Sequence, residues 1–455
     1  RLQGDQVVMQ NSELRLNHES DFEATSHGIE LQASTAELFD SQITATVMGA
    51  DGHGADVRLQ IADQFVMDHS TIDIQSIEEY GSVGDGGDLW IQATDITLRN
   101  GSEINMQPTL GQGGSVNLEA IDQVALNNSD ILMSSLEGSL NFAATVDLEV
   151  VSGAMGDLTI QATDILLTDV SSIQAIASSI SDQNGSIWLE ATDQMTLQNS
   201  TLDLVVHSFS TRSEISDRPD VSGNSGVDLD IRATDITIMD SSRVTSEAWG
   251  NAQSGNIWLE AINQVEIDGS LVFMATLSDL DEISMGGDLV TQAENILITK
   301  SIISASNTSS ETSQAGSIRL TAADQMQISD SWVTSSSHGL SAGGIIQLQA
   351  TDLILSGILS EEGSLLTSSS GTLDPRQDAA DTLFQSFFYP TGDAGRIEID
   401  LTGALHLNDG SQISTSASGI GAAGDIRIGM TSRPTVLQMT DGAIISSGRS
   451  SDATG

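Results

Sequence analysis

A glycine-led heptapeptide, Gly-x-Φ-x-Φ-x-Ala with aliphatic residues at Φ, recurs along this chain of 455 residues. Successive copies lie 33 residues apart from Gly54 to Gly87, 27 from Gly87 to Gly114 and 28 from Gly316 to Gly344. Repeats of this length are typical of solenoids, in which one repeat cannot bury its apolar face alone. The chain must therefore fold by stacking its copies. The other clear and looser copies begin at Gly28, Gly138, Gly156, Gly185, Gly226, Gly255, Gly287, Gly395 and Gly424.

Apolar and polar residues alternate within each repeat in three short runs, such as 89–93, 96–98 and 104–106. Alternation of this kind predicts β-strands. The breaks carry the turn-forming residues Thr94-Asp95 and Asn100-Gly101-Ser102. The sequence therefore predicts an all-β, right-handed parallel β-helix of about fifteen three-strand coils. It would be one continuous solenoid over 1–455, about 70 Å long at about 4.8 Å per coil.

Two segments exceed the length that a coil needs. One is a polar excursion at 207–226, and the other is an aromatic insertion at 365–392. Loops that interrupt a solenoid lie on one face and often bind something. The alternative is that the insertion folds back over the rod. Its aromatic residues are predicted interface residues: Phe384, Phe387, Phe388 and Tyr389.

Two versions of the repeat differ by one residue after the alanine. Longer copies contain a glutamine, as in Ala120-Ile121-Asp122-Gln123, and shorter copies lack it. The two alternate from Gly156 onward, which indicates that the duplicated unit was a pair of coils. Because one extra residue would flip every following side chain, we expect a β-bulge or a wider turn there.

Charge excludes several partners. The 64 acidic and 15 basic side chains leave a net charge of -49, with one lysine, Lys300. Nucleic acid and anionic membranes need clustered cations, so neither is an expected partner. There is no cysteine, and no apolar run is long enough to insert into a membrane.

The repeat resembles that of filamentous-haemagglutinin-like exoproteins of two-partner secretion, especially the long cyanobacterial forms. The resemblance covers nearly the whole chain and rests on segments such as Gly114-Ser115-Val116-Asn117-Leu118-Glu119-Ala120 and Ala423-Gly424-Asp425-Ile426. It implies a secreted, extracellular or cell-surface β-helix with a role in adhesion, surface structure or biofilm. The family's amino-terminal secretion domain is not in this sequence, so an outer-membrane export partner is implied by resemblance alone.

Aspartates recur at one predicted corner of the coil. Five of them are candidate metal ligands: Asp95, Asp122, Asp164, Asp193 and Asp235. Stacked carboxylates repel one another, and Ca²⁺ accepts irregular shells of oxygen ligands. The alternative is that each carboxylate accepts backbone N–H bonds and faces water.

Three tryptophans, Trp90, Trp188 and Trp258, each follow a coil-start glycine by three residues, between inward aliphatic positions. They are predicted to share one outward face, available for lateral packing or as a carbohydrate platform. Packing beneath a neighbouring loop is the alternative.

The sequence does not favour an enzyme. Parallel β-helices include lyases and hydrolases of acidic polysaccharides, but those need a basic cleft and a positioned acid and base. The seven histidines neither cluster nor recur at a fixed coil position. Neither end carries a capping motif, so the sequence is either a segment of a longer chain or a subunit that pairs head to tail. We therefore expect a structural surface fibre, with carbohydrate or cell-surface adhesion as the alternative.

Overall fold

The computed structural model describes residues 1–19, 28–48, 54–77, 86–108, 113–134, 155–178, 184–207, 226–250, 252–277, 285–307, 315–337, 342–357, 364–370, 392–418 and 421–450. These residues form an all-β, parallel β-solenoid. None of them is helical, so this part of the chain offers no helix long and apolar enough to span a bilayer.

The chain divides into two compact units, Arg1–His207 with Gly223–Thr234 and Ser208–Ser222 with Asp235–Gly455. Strand β16 (Asp228–Met239) contains the division. The strands of the first unit are β1 (Leu2–Gln10), β2 (Glu13–Glu19), β3 (Ile29–Phe39), β4 (Gln42–Met48), β5 (Val57–Ile61), β6 (Gln64–Asp68), β7 (Thr71–Ile77), β8 (Leu89–Arg99), β9 (Glu103–Pro108), β10 (Val116–Asn127), β11 (Asp130–Ser134), β12 (Leu158–Thr168), β13 (Ser172–Ser178), β14 (Ser186–Gln198) and β15 (Thr201–His207).

The second unit repeats the same architecture. Its strands are β17 (Arg243–Trp249), β18 (Ile257–Asp268), β19 (Leu271–Leu277), β20 (Leu289–Ala293), β21 (Asn295–Thr299), β22 (Ile302–Asn307), β23 (Ile318–Ala322), β24 (Gln325–Ser329), β25 (Trp332–Ser337), β26 (Ile345–Ala350), β27 (Asp352–Ser356), β28 (Leu365–Ser370), β29 (Arg396–Leu401), β30 (Ala404–Leu407), β31 (Gln412–Ser418), β32 (Ile426–Ile428), β33 (Val436–Met439) and β34 (Ile444–Ser450).

Each coil contributes to two parallel sheets. In the first unit, β1, β3, β5 with β6, β8, β10, β12 and β14 stack in one sheet. The other sheet contains β2, β4, β7, β9, β11, β13 and β15. The second unit stacks β17, β19, β22, β25, β28, β31 and β34 in the same way. The predicted parallel stacking is confirmed within each unit.

The core is a narrow column of aliphatic side chains. On β8, Leu89, Ile91 and Leu98 are buried while Trp90 and Gln92 are half-exposed, as period-two alternation predicts. The strand register stacks aliphatic residues of successive coils on one another, so that Ile91 pairs with Leu59 on one side and with Leu118 on the other. Among the described residues of the first unit, no polar side chain enters this row.

The first two predicted strands of a coil are continuous in some coils. Strand β8 runs without a break through Thr94-Asp95, where both amides donate to the Asp63 carbonyl at 2.7 and 3.1 Å. The same path is divided in two in other coils, for example as β5 with β6 and as β20 with β21. Thr94-Asp95 is therefore a bend inside the ladder rather than a turn that ends a strand.

The second predicted break is a true turn, because Asn100 and Gly101 have φ of 58° and 77°. Buried serines follow this turn in coil after coil. The amide of Ser41 donates to Oγ of Ser70 at 3.1 Å, and the Ser41 hydroxyl donates to the Phe39 carbonyl at 2.7 Å. The second unit repeats the arrangement with Ser301 and Ser331. This serine ladder joins successive coils at the corner.

The coil-start glycines form a second ladder. A Cβ atom built on Gly114 would overlap the carbonyl oxygen of Gly87, and one built on Gly316 would overlap that of Gly287. Glycine recurs there because the backbones of neighbouring coils approach too closely for a side chain. Hydroxyls of the second unit satisfy these inward carbonyls, as when Ser335 donates to Gly316 at 2.8 Å and Ser368 to Gly344 at 2.8 Å.

The predicted bulge is confirmed. Pairing of β10 with both neighbours shifts register between Glu119 and Gln123, so the extra residue is absorbed locally. A threonine of the next shorter coil supports several of these bulges: Thr163 donates to the Ile121 carbonyl at 2.8 Å, and Thr351 to that of Ala323 at 3.0 Å. Because a shorter coil caps the longer one beside it, two coils form the repeating unit.

The insertion starts later than predicted. Residues 365–370, which the sequence analysis assigns to the loop, form strand β28, and its register with β25 and β31 is unbroken. Its Leu-Leu-Thr-Ser-Ser-Ser sequence lacks regular alternation, which hid the strand. Residues 371–391, including Phe384, Phe387, Phe388 and Tyr389, lie outside the described residues, as do 208–225 of the polar excursion.

Candidate functional surfaces

The candidate metal ligands do not form one uninterrupted column. Asp95 and Asp164 each pair with Gln123, and Asp164 pairs in turn with Gln194. Glutamine amides therefore alternate with the carboxylates of the shorter coils. Asp122 and Asp193 lie in the bulges of the longer coils and are exposed, whereas Asp95, Asp164 and Asp235 are half-buried.

Several of these carboxylates accept hydrogen bonds from the neighbouring coil. Asp164 Oδ1 accepts a hydrogen bond from the backbone N–H of Gln194 at 3.2 Å. Asp235 Oδ1 accepts one from the side-chain Nδ2 of Asn263 at 2.9 Å. The corresponding Asp352 accepts from the Ala404 amide at 2.6 Å. These bonds hold the edge of the bulge in the next coil.

Partial burial raises the pKa of Asp95, and the negative charges of Asp122 and Asp63 raise it further. Asp122 and Asp63 are therefore each close enough to Asp95 to repel its carboxylate. No group of three or more His, Cys, Asp or Glu side chains among the described residues has a geometry that could hold a metal ion. Calcium binding at this corner stays a prediction.

Trp90 and Trp188 lie in one outward row of the first unit. Asn117 and Thr159 occupy the two levels between them, so the indoles do not stack on each other. Both are half-buried. The guanidinium of Arg232 lies over the Trp188 ring at 4.4 Å from its centroid, which gives this indole a cation–π contact. In the second unit, Trp258 is half-buried in the outward row and pairs with Val290.

Most cations that face solvent are already paired with carboxylates. Arg58 lies 3.4 Å from Asp56, and Arg99 lies 2.9 Å from Asp68. The described surface therefore has little positive charge available to bind a polyanion. The other ion pairs are Arg1–Glu30, Arg15–Glu13, Arg232–Asp230, Arg396–Glu398, Arg427–Glu398 and Arg427–Asp425.

Sequence reasoning missed a groove on the outward face of the first unit. It has a volume of about 520 Å³ and runs across five coils. One wall is a row of outward amide and carboxylate side chains, and the floor consists of small residues at the bend of each coil. The signal was present in the sequence as a glutamine directly after an inward aliphatic residue, as in Leu31-Gln32 and Ile91-Gln92. The wall residues are Gln3, Gln32, Gln60, Gln92 and Glu119.

No family model, curated protein or solved structure matches this chain.

Proposed function

We propose that this chain is the repetitive shaft of an extracellular surface fibre, a continuous solenoid over 1–455 with about fifteen coils. The observation that carries the proposal is stacking without interruption within each unit. Strand pairing, the serine ladder and the glycine ladder recur from coil to coil. Ladders of this kind suit a long rod, because each coil is stabilised by its immediate neighbours and coils can therefore be added without changing the rest of the structure.

We further propose that the coils wind in a right-handed sense. About 98% of crossover connections between parallel strands of one sheet are right-handed, because a right-twisted strand packs back onto its sheet best that way.

Growth of the fibre would occur at the outermost strands. Among the described residues, β1 pairs only with β3 and β34 only with β31. The inward residues Leu2 of β1 and Leu437 of β33, a strand that pairs only with β30 among the described residues, consequently stay 44% and 54% exposed. Another coil, from further chain or from a second copy, would cover them and satisfy the free strand edges. Self-association could therefore be end to end, with lateral packing through the tryptophan row as the other geometry.

The acidic surface supports an exterior role. A net charge of -49 opposes nonspecific clumping and association with polyanions. By resemblance to two-partner secretion exoproteins, export would use an outer-membrane partner. We propose no catalytic activity, because no described histidine combines with several carboxylates; His69, for example, pairs with Asp40 alone at 2.6 Å.

Adhesion to carbohydrate or to another cell surface is the second candidate function. It is favoured by the outward, half-exposed position of Trp90, because an indole can pack against the apolar face of a sugar ring, whereas the Trp188 ring is already covered by Arg232.

Electron microscopy of the 455-residue chain would test the fibre. With Ca²⁺ present we expect filaments whose axial repeat is about 4.8 Å, and we expect a chelator to shorten them if the aspartate corner binds calcium. The double variant Leu2→Lys with Leu437→Lys should block assembly by placing charge on the inward face of the outermost strands. Val170→Lys, at a turn residue 69% exposed, is the matched control.

Filaments that are unchanged by the double lysine variant would exclude growth through these strands. Chains that stay monomeric in analytical ultracentrifugation at every concentration, with or without Ca²⁺, would rule out the fibre itself.

A further inference from the structure

The glutamine groove has the dimensions of a ligand site. Its volume of about 520 Å³ falls within the range of known binding clefts. The wall is continuous in register, since Gln3 pairs with Gln32, Gln32 with Gln60, Gln60 with Gln92 and Gln92 with Glu119. The same kind of side chain is thus presented once per coil, at intervals of about 4.8 Å.

The amides are held by one another but retain hydrogen-bonding capacity. Arg1 donates to Gln32 Oε1 at 2.8 Å, and Gln32 Nε2 donates to Gln60 Oε1 at 3.2 Å. A glutamine amide has two N–H donors and an oxygen with two lone pairs, so each side chain can still donate and accept. The hydrogen bonds between Arg1, Gln32 and Gln60 therefore orient these side chains before a ligand binds.

Recognition here must use side chains. The backbone groups of β3, β5, β8 and β10 are committed to pairing with the coils above and below. Among the described strands that line the groove, only β1 at one end has an unpaired edge, so along β3 to β10 a peptide cannot bind by adding a strand. That argues against an extended polypeptide as the ligand.

The charge of the groove disfavours an anionic ligand. Glu119 and Asp5 line it, while the nearby Arg1 and Arg58 pair with Glu30 and Asp56. An anionic ligand would meet repulsion without a compensating cation.

Apolar contacts are available beside the amides. Trp90 lies two residues before Gln92 on β8 and therefore shares its outward face. In the next coil, Ile121 lines the groove and is 69% exposed in the bulge. A ligand that suits the groove would carry many hydroxyls and also present apolar C–H surface.

We propose that this groove binds a linear neutral polysaccharide, which lies along the stacking direction and meets one glutamine per coil. The proposal rests on the adhesive function above and deepens it by naming a surface and a ligand class. Because the contacts repeat, affinity should rise with the number of sugar units engaged.

Isothermal titration calorimetry with the full chain tests the proposal. The probes are cellohexaose and maltohexaose, their disaccharides, and a hexamer of galacturonic acid as the anionic comparison. We expect at least one neutral hexasaccharide to bind about tenfold or more tightly than its disaccharide, and the anionic hexamer not to bind. The double variant Gln60→Ala with Gln92→Ala should weaken binding by about tenfold or more.

Gln292→Ala is the matched control, because Gln292 holds the same outward position in a coil of the second unit, between Glu260 and Thr321, and does not line the groove. Circular dichroism would show that each variant is folded. Absence of saturable binding to both neutral hexasaccharides overturns the proposal, as does equal loss in the control. Binding that survives the double variant but fails in Trp188→Ala would also overturn it, and would assign adhesion to the tryptophan row. Electron microscopy tests fibre formation separately, so failure of the polysaccharide proposal can be distinguished from failure of the fibre proposal.

Discussion

One buried hydroxyl interrupts the aliphatic core of the second unit. Thr291 is 1% exposed and stands in the inward row between Leu259 and Leu320. Its Oγ1 has no hydrogen-bond partner within the part of the chain that the structure describes. A buried hydroxyl without a partner loses its bonds to water and gains nothing in return. The position therefore lowers stability.

The substitution Thr291→Val should raise the free energy of unfolding by about 1–2 kcal/mol, because it replaces the hydroxyl by a methyl group of similar size. Urea unfolding followed by circular dichroism would measure it. The same change at Thr163, whose hydroxyl donates to the Ile121 carbonyl, should instead cost about 1 kcal/mol. If both substitutions changed the free energy of unfolding in the same direction, this explanation would be wrong.

At the scale of the strand, the glycine ladder sets how closely coils approach. Gly316 begins the coil of β23, and its missing side chain lets the backbone contact Gly287 of the preceding coil. Its own carbonyl accepts from Ser335, which ties the first sheet of the coil to the second. Glycine and serine together replace side-chain packing at this corner.

We expect Gly316→Ala to destabilise the protein by about 3 kcal/mol or more, because the added methyl would force apart two hydrogen-bonded coils. Gly448→Ala is the control, since a Cβ there meets nothing within 4 Å. Thermal unfolding of both variants gives the comparison. If Gly316→Ala unfolds at the wild-type temperature, the ladder is not required for stacking.

At the scale of the whole molecule, excess negative charge works against the fold. Burial raises the pKa of Glu103, and repulsion from Asp130 and Asp73 raises it further. Burial likewise raises the pKa of Asp73. Each of these carboxyl groups binds a proton more tightly in the folded protein than in the unfolded chain. Its contribution to stability is therefore present at low pH and is lost as the pH rises through the pKa of the folded state. Asp68 acts oppositely, because a hydrogen bond from Asn100 lowers its pKa.

Glu103→Gln should therefore raise the melting temperature at about pH 7 and leave it unchanged at about pH 3, where the wild-type carboxyl is also neutral. Calorimetry across this pH range should show that the melting temperatures of the variant and the wild type converge as the pH is lowered. The exposed Asp193→Asn is the control and should have little effect. An equal gain at both pH values would mean that packing, rather than charge, is responsible.

The sequence alone determined the parallel solenoid, the bulge before Gln123 and the left-handed turn at Asn100-Gly101. Each has a local signal, namely period-two alternation, one extra residue in a repeat, or residues that tolerate positive φ. The strand β28 was missed because its serines and threonines hide that alternation.

Only the tertiary structure decided which residues of neighbouring coils meet. Gln123 rather than Asp122 pairs with Asp95, the corner serines bond one another, and five wall residues form a groove. These contacts join residues about one coil apart in sequence. Their register depends on where each bulge absorbs its extra residue, and a slip of one position would turn every side chain to the opposite face.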